Sequence, residues 1–191
     1  MKRVNILIFI ILFIFISLVF ICFNASAKEV SLYRDKPTQE AVDLTNKLAL
    51  SDEEAKNKIL SSFKKLMDKN PENVSIRNMY INNLIAERYY REGLSYLEVM
   101  NKNRPTRTNL LTQCMLQERL GDRNEGCYKK VIALSEGSNV IDSDYMSALF
   151  FMNDTRFETL RRELIKGKKF KESDFLVFTL GKEKMLHEFF P

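Results

Sequence analysis

The chain contains no tryptophan, one histidine, six glycines and four prolines in 191 residues. So few turn-forming residues exclude a β architecture of many short strands, and the abundance of Leu, Lys, Glu, Asn and Phe favours helices. The lone histidine, His187, stands four residues from the last residue with Glu188 beside it. Acid–base work at His187 needs a nucleophile or carboxylate brought from elsewhere, and there is no Gly-x-Ser-x-Gly elbow and no metal-ligand spacing. No glycine-rich phosphate loop is present, so no nucleotide site is expected, and neither is a metal or another cofactor. A net charge of +5 is too small an excess for a dedicated nucleic-acid binder.

What is present begins with a leader. Lys2 and Arg3 precede an apolar run of 18 residues, Ile6 to Phe23, broken only by Ser17 and followed by Asn24-Ala25-Ser26-Ala27. A basic head, a greasy middle and an Ala-x-Ala site predict a signal peptide over residues 1–27, cleaved after Ala27. An uncleaved inner-membrane anchor facing the periplasm is the alternative, because the run just reaches spanning length. Lipid attachment at Cys22 fits less well, since Ile21 stands where a small residue is favoured. Cleavage leaves 164 residues with a net charge of +3, of which 28–37 read as a polar leader segment and 38–191 as one helical domain. Two cysteines remain, Cys114 and Cys127, and an even count in an oxidising compartment predicts a disulfide.

Apolar spacing then marks paired helices. One passes through Val42, Leu44, Leu48 and Leu50; Ser51-Asp52-Glu53-Glu54 reads as a capping box opening a second through Ile59, Phe63 and Leu66. A third opens near Asn73, turns around residues 88–91, and gives way to one carrying Gly93, Leu97 and Met100. Leu110 to Leu120 and Cys127 to Leu134 form the next pair around Gly121-Asp122. Beyond Asn139, the helices expected over 143–151 and 154–164 are followed by short elements at 173–178 and 182–190. Eight phenylalanines in this end, Phe150, Phe151, Phe157, Phe170, Phe175, Phe178, Phe189 and Phe190, suit a closing core.

Pro37, Pro71 and Pro105 stand 34 residues apart, a period that signals stacked helical hairpins. Over residues 38–139 the chain resembles the tetratricopeptide repeats, with Tyr90, Gly93, Leu97, Met100 and Pro105 at that family's conserved places and Phe63, Leu66 and Pro71 matching in the unit before. Arg77 and Ile81 depart from it, standing where the family has an aromatic and a small residue. The resemblance implies an all-α fold of antiparallel hairpins stacked as a short solenoid with an atypical C-terminal cap. It also puts Cys114 and Cys127 where two helices of a hairpin touch, and gives Asn78, Asn82 and Ile85, then Asn109, Thr112, Leu116 and Arg119, to a partner-binding groove. A plain soluble face is the alternative for Asn78, Asn82 and Asn83.

Six basic residues, Arg161, Arg162, Lys166, Lys168, Lys169 and Lys171, form the densest charge run. They suit an acidic partner or anionic lipid, or equally a solvated helix end that complements the dipole. Together these features lead to the expectation of a periplasmic or secreted, non-catalytic protein-binding protein whose partner is a protein or peptide. An immunity protein neutralising a toxin delivered to the periplasm is the most specific version. An envelope assembly adaptor, a membrane-anchored structural subunit and an envelope hydrolase using His187 are the alternatives.

Overall fold

In a computed structural model, described over residues 35–191, the chain is all-α. The signal sequence, its cleavage site and most of the leader lie outside the described residues. Consecutive helices pair as α1 (Lys36–Ala49) with α2 (Glu53–Lys69), α3 (Val74–Ala86) with α4 (Tyr90–Asn103), α5 (Arg107–Arg119) with α6 (Glu125–Gly137), and α7 (Ser143–Met152) with α8 (Arg156–Lys166). A 3-10 helix, Glu172–Leu180, and α9 (Lys182–Phe189) follow. Among the described residues no helix is long and apolar enough to cross a membrane.

Side-chain caps start most of these helices where the sequence offers Asp, Asn or Thr. Asp52, Asn73, Thr106, Asn124 and Asp142 each accept a hydrogen bond from a backbone N–H in the first turn, satisfying donors that have no partner within the helix. The expected capping box at Ser51 and Glu54 does not form. Asp52 is the cap, 2.9 Å from the Ala55 nitrogen, while the Ser51 hydroxyl turns back to the Lys47 carbonyl at 2.7 Å. Helix α1 begins at Lys36, so Pro37 belongs to its first turn rather than to the leader. A missing N–H is harmless there.

Five helices end alike. Arg88, Gly121, Asn139, Asn153 and Lys168 have φ of 66°, 89°, 52°, 54° and 55°, and the residue after each donates its N–H five residues back, as from Tyr89 to the Leu84 carbonyl at 2.8 Å. These are left-handed helix stops that satisfy the last carbonyls.

Packing follows the hairpins and then departs from them. α1 rests on α3 and α5 on α7, whereas α3 and α5 are not among the closely packed pairs. That interval falls where Arg77 and Ile81 replace the aromatic and small residues of the repeat pattern. Within the α3–α4 hairpin the approach is tight: a Cβ on Gly93 would lie 2.9 Å from Ile85 Cγ1. One core joins Ala41, Leu48, Phe63, Ile76, Tyr80 and Leu84; the other runs from Ile81 and Leu97 through the disulfide-bonded Cys114–Cys127 pair to Phe190.

The closing elements divide between two tasks. Phe175 and Phe178 cover Phe150 and Phe157 with ring centroids 5.0 to 6.5 Å apart, completing a cap over the last hairpin. Helix α9 instead returns to α5, because Met185, Leu186 and Phe190 bury better against that helix than in water.

Candidate functional site

The expected groove residues separate into three groups. Asn78 and Asn109, on the first helices of consecutive hairpins, line one depression of about 680 Å³ in the interval between α3 and α5. Arg77 and Arg104 flank it, and Val74 and Val99 add exposed apolar surface, Val99 at 63%. The Asn78 Oδ1 atom is buried with no hydrogen-bond partner. Such an acceptor, lost to water and unpaired, is an energetic liability that a donor from a ligand or solvent relieves. Asn109 is partly engaged: its backbone N–H donates to Thr106 Oγ1 at 3.2 Å, its backbone carbonyl accepts from Asn101 Nδ2 at 3.1 Å, and its side-chain Nδ2 donates to Met100 Sδ at 3.9 Å. Asn82 is exposed nearby on α3.

Thr112 and Arg119 meet the chain's own closing segment. Thr112 lines a second depression of about 360 Å³ together with Leu111, Met115, Ser147, Phe189 and Phe190. Arg119 Nε donates to the Phe190 carbonyl at 2.9 Å, and its guanidinium carbon sits 5.8 Å from the centre of the Tyr90 ring. Tyr90 donates its hydroxyl to the Pro191 backbone oxygen and meets the Phe190 ring edge-on at 6.2 Å. Sequence spacing gave Tyr90 only a packing role, since nothing local links it to residues a hundred positions away.

Leu116 and Ile85 are not groove residues. Leu116 is fully buried, because α6, α7 and α9 all pack on α5 and together leave it no outward face. Ile85 is half-buried, with Gly93 against it. Asn83 is a structural residue rather than part of a soluble face: buried, it donates to Thr45 Oγ1 and the Met79 carbonyl, both at 2.8 Å.

A third depression of about 560 Å³ lies between α4, α5 and α6, with Glu98, Asn101, Gln113 and Lys130 among its lining residues. Asn101 there is 8% exposed and its Oδ1 has no partner, although its Nδ2 donates to Gln113 Oε1 at 2.8 Å. Sequence reading missed it, because an Asn near a helix end normally signals solvent.

Within the basic run, Arg161 pairs with Glu158 at 3.1 Å and Arg162 donates to the Glu158 carbonyl at 3.3 Å, while Lys166, Lys168 and Lys169 are exposed around the end of α8. His187 is exposed in the last turn of α9.

Two polar clusters brace the frame. Arg156 donates to Glu136 and Asp154, each at 2.7 Å, and these hydrogen bonds hold both carboxyl groups below their ordinary pKa. Lys182 donates to the Phe151 carbonyl at 2.7 Å and Asn153 Oδ1 at 2.6 Å; its pKa is lowered, chiefly by burial, with the nearby Arg123 adding to the effect. Among the described residues no group of three His, Cys, Asp or Glu side chains is placed to hold a metal ion.

The fold and these surfaces define a class: an all-α stack of helical hairpins with open depressions along its first helices. Comparison with protein-family models, curated proteins and solved structures finds no match to this chain.

Proposed function

We propose that the chain is an exported, non-catalytic binding protein that receives an extended segment of a partner protein in the interval between α3 and α5. The observation that carries this reading is the depression shared by Asn78 and Asn109, in which a buried amide oxygen lacks a partner beside apolar rim residues. Carboxamides offer a donor and an acceptor together, as a peptide main chain requires, and Val74 and Val99 supply apolar area for a side chain. The basic head, apolar run and Ala-x-Ala site support export, and a disulfide between Cys114 and Cys127 suits an oxidising compartment. An immunity protein, with a toxin delivered to the periplasm as its partner, is the most specific form of this reading.

The test is cross-linked capture from envelope extract with Asn78→Arg and Asn109→Arg as controls. A partner retained across several salt conditions and lost in both variants, with helicity unchanged, is the expected result. Recovery of no stable partner, or capture that ignores both substitutions, overturns the reading. Mass spectrometry of the exported protein finds the new N-terminus at Lys28 if the signal is removed.

A further inference from the structure

The closing segment Phe189-Phe190-Pro191 is held in a way that reads main chain rather than sequence. Arg119 Nε donates to the Phe190 carbonyl at 2.9 Å, and the Tyr90 hydroxyl donates to the Pro191 backbone oxygen. Any polypeptide offers those two acceptors. The one side chain the seat selects is Phe190, 5% exposed and edge-on to Tyr90 with an interplanar angle of 80°. Edge-to-face geometry favours an aromatic ring there over an aliphatic group of similar area.

Phe189 closes α9 and Phe190 caps it, yet this end is set apart from the rest of the helix in two ways. Helix α9 is fastened on its own, by buried Met185 and Leu186 and by Lys182 on the Phe151 carbonyl and Asn153. Opening the seat therefore frays only the last turn of α9, releasing Phe189 and the Phe190 N–H bond to the Leu186 carbonyl at 2.9 Å, while the rest of the helix stays docked. Beside them the seat is only half filled: Phe189 is 49% exposed, and the depression of about 360 Å³ continues past it between α5 and α7 along Thr108, Thr112, Ser143 and Ser147.

We propose that Tyr90, Arg119 and the α5–α7 depression form a peptide-binding subsite held in cis by Phe189-Phe190-Pro191. Its partner is a protein segment presenting a large aromatic side chain beside free main-chain carbonyls, which takes the seat when the cis segment lifts. The inference rests on the reading that this chain binds a partner segment, and it names the chemistry of that segment. The cis segment is a tethered competitor at an effective concentration in roughly the millimolar range, so it sets a threshold: weak aromatic peptides are excluded and a partner with additional contacts succeeds. A ligand shifts such an equilibrium only by its differential affinity for the open seat.

The test uses a fluorescein-labelled peptide of the chain's own residues 186–191 and measures anisotropy against the intact chain, a chain ending at Glu188, and a full-length Phe190→Ala variant. Both opened chains bind the peptide at least about tenfold more tightly than the intact chain, and Arg119→Ala in the opened background removes about tenfold of that affinity. A peptide with Ala in place of the residue-190 aromatic does not compete. Equal binding to intact and opened chains overturns the proposal, as does absence of binding to both opened chains while they keep helicity and cooperative melting. A doubled mass of the intact chain in light scattering, lost in the chain ending at Glu188, also overturns it, because the segment then serves a second copy. If peptide binding fails while Asn78→Arg still abolishes partner capture, this inference falls and the binding function stands.

Discussion

The core under α1, α2 and α3 and the core running from α4 to α9 are closed by different means. In the first, Ala41, Leu48, Leu60, Phe63 and Leu66 are completed by Ile76, Tyr80 and Leu84 of the next helix, so every partner comes from the adjoining hairpin. In the second, near-neighbour contacts such as the Tyr128–Phe151 stack at 5.3 Å and the disulfide between α5 and α6 are joined by a long-range fastening, Arg119 on a carbonyl 71 residues away. Near-neighbour packing makes a region that can open alone, whereas long-range fastening ties several elements into one unit. The regions meet through α3, whose Ile81 and Leu84 belong to different cores, and through Tyr96, which packs on both.

Aromatic truncation gives the largest effect. Phe63→Ala and Phe151→Ala, both at fully buried positions, each lower stability by about 3–5 kcal/mol. Hydrogen exchange should show Phe63→Ala releasing α1 and α2 while α5 to α8 stay protected. One shared transition in both variants breaks the distinction between the two cores.

Reduction of Cys114–Cys127, separated by 13 in sequence, is next, at about 3 kcal/mol from the freed loop entropy. The loss should be confined to the second core: in a denaturant titration with reductant, the α5–α8 midpoint falls and that of α1–α2 does not move. A shift of both midpoints shows that the regions unfold together.

At the seam, Gly93→Ala meets Ile85 Cγ1 at 2.9 Å, whereas a Cβ on Gly137 meets nothing within 4 Å. The first destabilises by about 1–2 kcal/mol net of its better helix propensity, and the second is neutral or stabilising by up to about 1 kcal/mol. Thermal melts of the two variants therefore move in opposite directions, and a stabilised Gly93→Ala would show the seam to be loose.

The smallest effect is of pH, and it has opposite sign at one brace in each region. Hydrogen bonds from Arg156 lower the pKa of Glu136 and Asp154, so their contribution is complete above the ordinary carboxyl range of about 4 and is lost as pH falls through the lowered folded values. Hydrogen bonding to Glu87, 2.7 Å away, and then to Glu53 raises the pKa of Lys56. Its contribution is complete below the ordinary lysine value of about 10.4 and is lost as pH rises through the raised one. Exchange protection should fall first at the α6–α8 contact in acid and first at the contact of α2 with the end of α3 in alkali. The reverse order would assign the braces to the wrong regions.

Much of this was legible from local signals. Asn73 advertises a helix start, Gly121 and Asn139 advertise stops, and the 34-residue proline period predicts the hairpins. The turn around residues 88–91 was legible, but the left-handed backbone of Arg88 that makes it, with φ of 66°, was not, because an arginine in that region gives no compositional sign. Asn78, Asn109, Thr112 and Arg119 were picked from repeat register, yet the register did not divide them between an open depression and a half-filled seat.

The sequence by itself determined helices, most of their caps and stops, the pairing of neighbours and the two cysteines that meet, because these depend on contacts within about one hairpin. Only the tertiary structure decided where α9 lies and what Arg119 and Tyr90 hold. Met185, Leu186 and Phe190 fit any apolar furrow of suitable width, and which furrow wins depends on surfaces assembled from α5 and α7 after the hairpins have packed.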